Sequence, residues 1–182
     1  MICTSDVAKA YECINSGKLL AYPTEAVYGL GCDPFNGDAV EQLLRLKQRL
    51  PSQGLILLVS SWEQLASLTL PISKSAMTAV QSTWPGPVTW IFPASNLVPH
   101  WITGTRDSVA VRMTAHPIAR ELCNKSSIVS TSANVSGKQP AKNKAQLLAQ
   151  FPTGVDVFFE GELGDSSKPS DIFDVITGNK LR

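Results

Sequence analysis

The chain has only two histidines, His100 and His116, and four scattered cysteines, Cys3, Cys13, Cys32 and Cys123, in 182 residues. No Cys-x-x-Cys pair occurs, and the histidines share no ligand spacing. Zinc sites and redox dithiols need ligands within a short turn, so the sequence supports neither, and no metal held by protein side chains is expected. The cysteines read as small apolar side chains in a reducing compartment. Charge of one sign is also lacking: sixteen Lys and Arg face fifteen Asp and Glu. A net charge of +1 excludes a histone-like or tail-driven nucleic-acid binder. The longest aliphatic run, Leu55-Ile56-Leu57-Leu58-Val59, is far short of the roughly 20 residues of a membrane span. No basic segment leads into an apolar stretch and a small-residue cleavage site. The expectation is a soluble cytoplasmic domain without membrane contact.

Standard catalytic signatures are missing as well. There is no Gly-x-x-x-x-Gly-Lys-Ser/Thr loop, and Gly29-Leu30-Gly31 lacks the third glycine of a dinucleotide fingerprint. No Gly-x-Ser-x-Gly elbow is present, and neither histidine sits in a partner motif for a nucleophilic serine. Hydrolase chemistry is therefore the weakest enzymatic reading.

What is present is an alternation of helical and extended periods from end to end, in a length that suits one domain over residues 1–182. Thr4-Ser5 ahead of Val7, Ala8, Tyr11 and Ile14 reads as a capped amphipathic helix stopped by Gly17. Asp38 caps a second helix with a Val40, Leu43 and Leu44 stripe. Further helices are expected after Ser60-Ser61 and over 72–82, 117–124 and 143–150. Strands are expected over 19–22, 54–59, 88–92, 108–112, 128–131, 155–159 and 172–176. Residues 93–107 read as a loop, and His116 before Pro117 as a helix entry. This alternation argues an α/β fold with a twisted, mixed β-sheet flanked by helices. Charge is uneven along it: residues 97–150 hold seven basic and two acidic groups, and residues 151–182 hold three and six.

Three segments carry candidate chemistry. Pro23-Thr24-Glu25-Ala26-Val27-Tyr28-Gly29-Leu30-Gly31-Cys32 follows a strand, opens with Pro and closes on two glycines. It reads as a shaped loop at a strand's carboxyl end, where ligands of α/β sheets sit, with a structural turn as the competing reading. In Lys47-Gln48-Arg49 two cations at i, i+2 point about 200° apart on a helix. They converge on one anion only if the helix ends there and the chain extends, which Pro51 and Gly54 favour. A lysine point charge beside an arginine fork suits a polyphosphate; a solvated helix end is the alternative. Ser130-Thr131-Ser132-Ala133-Asn134-Val135-Ser136-Gly137-Lys138 places Ser132 and Asn134 at the same i, i+2 spacing in a hydroxyl-rich segment leaving a strand.

In this order, and with Pro85-Gly86-Pro87-Val88-Thr89 and Val109-Ala110-Val111-Arg112 between them, these segments resemble the YrdC-like family of threonylcarbamoyl-adenylate synthases, in its single-domain bacterial form. The resemblance runs over nearly the whole chain. It implies a sheet curved around a positively charged cavity. It also implies an enzyme condensing L-threonine, bicarbonate and ATP to L-threonylcarbamoyl-AMP and pyrophosphate, for threonylcarbamoyladenosine modification of tRNAs reading ANN codons. Lys47 and Arg49 match the family's catalytic Lys-x-Arg pair and, with Ser108, Ser132, Asn134 and Arg182, the nucleotide-holding set. Thr24, Arg112, Ser130 and Ser170 match positions near the bound threonine, with Arg112 the bidentate partner of its carboxylate. Implied besides are Mg²⁺ arriving with ATP, and tRNA and downstream threonylcarbamoyl-transfer proteins as transient partners. Departures are Ala26 for a second Thr, Leu50 for Pro, Gln53 for Asn or Lys, and Asp171 for Thr.

On this reading Lys47→Ala and Arg49→Ala fold normally but lose adenylate synthesis. The rival from another class is a non-catalytic RNA-binding module using the same basic cavity. The aromatic stacking platform of single-strand readers is not evident in the sequence.

Overall fold

Side chains of successive strand residues point to opposite faces, and the sequence exploits this to build two cores on one sheet. The computed structural model describes residues 1–166 and 168–182. Its elements are β1 (Ile2–Thr4), α1 (Val7–Asn15), β2 (Leu20–Pro23), β3 (Tyr28–Gly31), α2 (Gly37–Lys47), β4 (Ile56–Val59), α3 (Trp62–Leu68), α4 (Lys74–Gln81) and β5 (Val88–Pro93). There follow α5 (His100–Thr103), β6 (Ser108–Met113), α6 (Pro117–Leu122), β7 (Ile128–Ser132), α7 (Lys144–Gln150), β8 (Val157–Phe159) and β9 (Asp171–Asp174). A 3₁₀ turn over Pro51–Gln53 precedes β4.

Among the described residues, nine strands form one mixed sheet in the order β1-β8-β2-β3-β7-β4-β6-β5-β9. Pairing is antiparallel for β2–β3, β3–β7, β7–β4 and β6–β5, and parallel for β1–β8, β8–β2, β4–β6 and β5–β9. Leu20, Tyr22, Leu58, Ile128, Val157 and Phe159 pack with Ala10 and Ile14 of α1 and Ala119 and Leu122 of α6. Their alternating neighbours Leu19, Ala21, Leu57, Val59, Val129 and Phe158 join the larger core under α2, α3, α4 and α7. The α/β class with helices on a mixed sheet is as expected.

Several local expectations are corrected. The first helix is capped by Asp6, whose side chain accepts from Ala8 N–H, and the second by Asn36, which accepts from Ala39 N–H; Asp38 falls in the first turn instead. The 93–107 loop contains α5. Strand β1 escaped the sequence because three residues at a sheet edge, with Ile2 exposed, show no period. Strand β3 escaped because glycine is a poor strand former, and the 23–32 segment is a hairpin rather than a free loop. The Tyr22 ring lies across its glycines: a Cβ on Gly31 would sit 2.5 Å from the Val129 carbonyl oxygen and 2.9 Å from the ring.

Candidate active site

A cavity of about 440 Å³ opens on the sheet and takes wall residues from six adjacent strands: β3, β7, β4, β6, β5 and β9. That volume lies within the range of small-ligand sites. Thr24, Arg49, Ser108, Arg112, Ser130, Ser132, Ser170 and Arg182 all line it. Its other charged wall residues are Glu25, Arg106 and Lys168.

The β2–β3 turn presents Thr24 and Glu25. Thr24 Oγ1 donates to the Val27 carbonyl at 2.7 Å, which closes the turn. From outside, Gly164 N–H donates to the Thr24 carbonyl at 3.0 Å and Ser166 N–H to the Glu25 carbonyl at 2.9 Å. The Glu25 side chain turns inward. Its Oε1 accepts from Thr114 Oγ1 at 2.7 Å and from Ala115 N–H at 3.2 Å, and its Oε2 lies 3.1 Å from an Arg112 terminal nitrogen. Burial pushes the carboxyl pKa up, but Arg112, Thr114 and the backbone donors outweigh it and hold the group below its ordinary value. Arg112, expected as the partner of a substrate carboxylate, already has one side engaged by Glu25, while its Nε is buried without a partner.

The Lys47/Arg49 geometry differs from the expected extension. Helix α2 ends at Lys47, and Gln48 takes a left-handed conformation (φ 51°, ψ 43°). Gln48 N–H bonds the Arg45 carbonyl and Arg49 N–H the Leu44 carbonyl, a Schellman end. The turn sends the two cations apart. Arg49 enters the cavity wall and donates to the Gly54 carbonyl at 2.9 Å. Lys47, 2% exposed, runs behind the wall, where its ammonium donates to the Ser132 carbonyl and, at 2.7 Å, to the Asn134 carbonyl. Burial, and then Arg49, pull its pKa down to about 7, while the two carbonyls favour its protonated form. Against the expectation that Lys47→Ala folds normally stands a stability cost: alanine removes a buried donor from the Asn134 carbonyl and one of the two donors to the Ser132 carbonyl.

Behind Ser132, Asn134 is also outside the cavity lining. Ser132 Oγ donates to Asn134 Oδ1, and Asn134 N–H bonds the Ser132 carbonyl. The pair faces itself rather than both facing a ligand, with Ser132 on the wall. At the far edge of the sheet, Leu181 N–H bonds the Ile172 carbonyl at 2.7 Å and carries Arg182 back along β9. Arg182 donates to the Ser170 carbonyl at 2.9 Å, and Ser170 Oγ lies 3.0 Å from Thr89 Oγ of the Pro-Gly-Pro-Val-Thr segment.

Sequence reasoning missed Glu25 as a charge partner, Arg106 and the supporting hydroxyls Thr89 and Thr114. A carboxylate in an otherwise apolar motif signals a buried cation, and Arg112 on a strand was the available one. Arg106 was hidden in a stretch taken for plain loop. His116 caps α6, its Nδ1 accepting from Ala119 N–H and its Nε2 lying 3.1 Å from the Glu162 carbonyl. Cys13, Cys32 and Cys123 are buried and Cys3 is exposed. Among the described residues no group of three His, Cys, Asp or Glu could hold a metal, and no helix is long and apolar enough to cross a membrane.

The Sua5/YciO/YrdC family model, described as telomere recombination, matches residues 12–182. A threonylcarbamoyl-AMP synthase of Coxiella burnetii is 48% identical over 181 residues, which covers 98% of this chain and 97% of that one. That of Methylococcus capsulatus is 46% identical over 175 residues, 95% and 94%. The crystal structure of P. abyssi Sua5 complexed with L-threonine superposes with a TM-score of 0.88 at 34% identity, over 95% of this chain; the chain spans 53% of that longer one. The family match over residues 12–182 and identities that span nearly the whole chain lead to one conclusion: the chain belongs to the Sua5/YciO/YrdC family.

Proposed function

We propose that this chain is a threonylcarbamoyl-AMP synthase, a nucleotidyltransferase that joins L-threonine, bicarbonate and ATP. The observation that carries the reading is the cavity itself. It gathers Thr24, Ser130 and Ser170 hydroxyls with Arg49, Arg106, Arg112 and Arg182, and its wall carboxylate, Glu25, is paired. Hydroxyls and guanidinium forks recognise an amino acid and a polyphosphate without a protein nucleophile.

The chemistry needs positioning and charge neutralisation. The threonine amine adds to the carbon of carbon dioxide, supplied by bicarbonate, and loses a proton to water, giving a carbamate. A carbamate oxygen forms a bond to the α-phosphorus as the bond to the bridging oxygen breaks. The electron pair leaves on pyrophosphate. Arg49 offsets the charge growing on the phosphates. Ser132 lies on the wall with its hydroxyl committed to Asn134 Oδ1, and Lys47 acts by holding the Ser132–Asn134 backbone. Arg112, fixed by Glu25, offers its remaining donors to the threonine carboxylate, beside Thr24 and Ser130.

The donor set does not fit a protein-held metal: among the described residues no three His, Cys, Asp or Glu come together, and the wall carboxylate Glu25 is hydrogen-bonded through Oε1 to Thr114 and Ala115 and ion-paired through Oε2 to Arg112. Mg²⁺ is proposed to stay on nucleotide oxygens and water. The product is proposed to serve tRNA threonylcarbamoylation through downstream transfer proteins. A base-stacking RNA module is disfavoured because the aromatic on the wall, Tyr28, is already stacked on Phe158 at 4.9 Å. Mass spectrometry of wild-type reactions with ¹³C-bicarbonate tests the reading: labelled threonylcarbamoyl-AMP is expected, and AMP or ADP without it would contradict the proposal.

A further inference from the structure

Two segments that the sequence keeps far apart interlock at the cavity rim. Gly54, closing the 3₁₀ turn, has φ +67°, and Gly104, after α5, has φ +69°. A Cβ on Gly104 would lie 2.6 Å from the Ser52 carbonyl oxygen and 2.9 Å from Gly54 N; one on Gly54 would lie 3.1 Å from the Ile102 and Thr103 carbonyl oxygens. Leu55 N–H bonds the Ile102 carbonyl at 2.9 Å. The turn and the 102–106 stretch therefore meet backbone against backbone, and neither glycine can be larger without parting them.

This contact brings two guanidiniums onto consecutive carbonyls. Arg106 donates to Gln53 O at 2.9 Å, and Arg49 donates to Gly54 O at 2.9 Å. Arg182 reaches the same cavity, tied to the Ser170 carbonyl. Among the described residues, none of the three has a carboxylate within ion-pair distance. Arg49 Nε is buried without a hydrogen-bond partner. Burial, then Arg106, then Arg182 depress the Arg49 pKa, so both neighbouring guanidiniums lie near enough to act on Arg49. Like charges held together by the backbone, each with unused donors from its five N–H groups, make a site for an anion of high charge and more than one phosphate.

We propose that Arg106 completes a pyrophosphate subsite with Arg49 and Arg182, holding the β- and γ-phosphates of the nucleotide and then the departing pyrophosphate. The proposal rests on the adenylate-forming reading above. Arg106 and Arg182 are exposed while Arg49 is half-buried, so Arg106 stands on the solvent side of Arg49, where a leaving group would exit. A structural staple is the bland alternative, since its hydrogen bond to Gln53 alone would hold the turn.

Calorimetric titration of the full chain with inorganic pyrophosphate and, separately, AMP distinguishes the two. Arg106→Gln keeps an amide donor for Gln53 but removes the charge. It is expected to weaken pyrophosphate binding by about tenfold or more, with AMP affinity changed by less than about twofold and Tm unaltered. Arg106→Lys, which keeps the charge, is expected to recover part of the loss. Unchanged pyrophosphate affinity in Arg106→Gln, an equal loss for AMP, or a wild type that does not bind pyrophosphate would overturn the subsite. Pyrophosphate binding by a wild type that makes no adenylate would instead remove the functional reading and leave the subsite standing.

Discussion

Glu25 and Arg112 form an ion pair at 3.1 Å on the cavity wall, with both side chains only 10% exposed. The motif turn after β2 is thereby tied to β6, four strands away in the sheet order. Removing one member of a buried pair costs about 3–5 kcal/mol because the other charge is stranded. Arg112→Met is therefore expected to lower denaturant stability by about that much, and Glu25→Gln/Arg112→Met to recover part of it. Equal stability of wild type and Arg112→Met would show that the pair is not formed in solution.

Acid should expose the same pair. The folded-state pKa of Glu25 is held below its ordinary 4.5, so the unfolded chain binds the proton first as pH falls. The stability it contributes is complete above the unfolded pKa and is lost as pH falls through the depressed folded value. Unfolding midpoints measured below pH 5 are expected to fall more steeply for wild type than for the Glu25→Gln/Arg112→Met chain. Parallel curves would contradict the assignment.

Lys47 and Arg49 should separate. Lys47→Met removes the donor shared by the Ser132 and Asn134 carbonyls and is expected to cost about 3 kcal/mol. Amide exchange over residues 132–136 should quicken as well. Arg49→Ala, which breaks one wall contact, is expected to fold with little loss while kcat/KM for ATP drops by about 10²-fold. The reverse pattern would mean that the two roles have been exchanged.

Arg182 is tethered by one strong contact to Ser170. Arg182→Ala is expected to raise the KM for ATP by about tenfold with Tm unchanged. An unchanged KM would place Arg182 outside the nucleotide site.

The fold was legible wherever side-chain period carried it: the Val40, Leu43 and Leu44 stripe and the aliphatic run of β4 were found where expected. The candidate site was legible through short motifs, because the hydroxyl and guanidinium residues of Thr24, Ser130, Ser132, Arg49 and Arg112 do meet in one cavity. What sequence alone could not reach depended on tertiary contact. The Gly29-Leu30-Gly31 strand is held between β2 and β7, and its glycines leave room for the Tyr22 ring. Lys47 turns away from the cavity because a left-handed Gln48 closes the helix, a conformation that nothing in Lys-Gln-Arg announces. Arg106 became visible when two positive-φ glycines joined segments about fifty residues apart.

The central claim is adenylate formation from three substrates, and pyrophosphate release from Mg-ATP measures it most directly. With purified wild-type chain, release is expected to require L-threonine and bicarbonate together and to fall to background when either is omitted. Release that needs neither would mean simple nucleotide hydrolysis and contradict the account, as would no release from a chain that still binds tRNA.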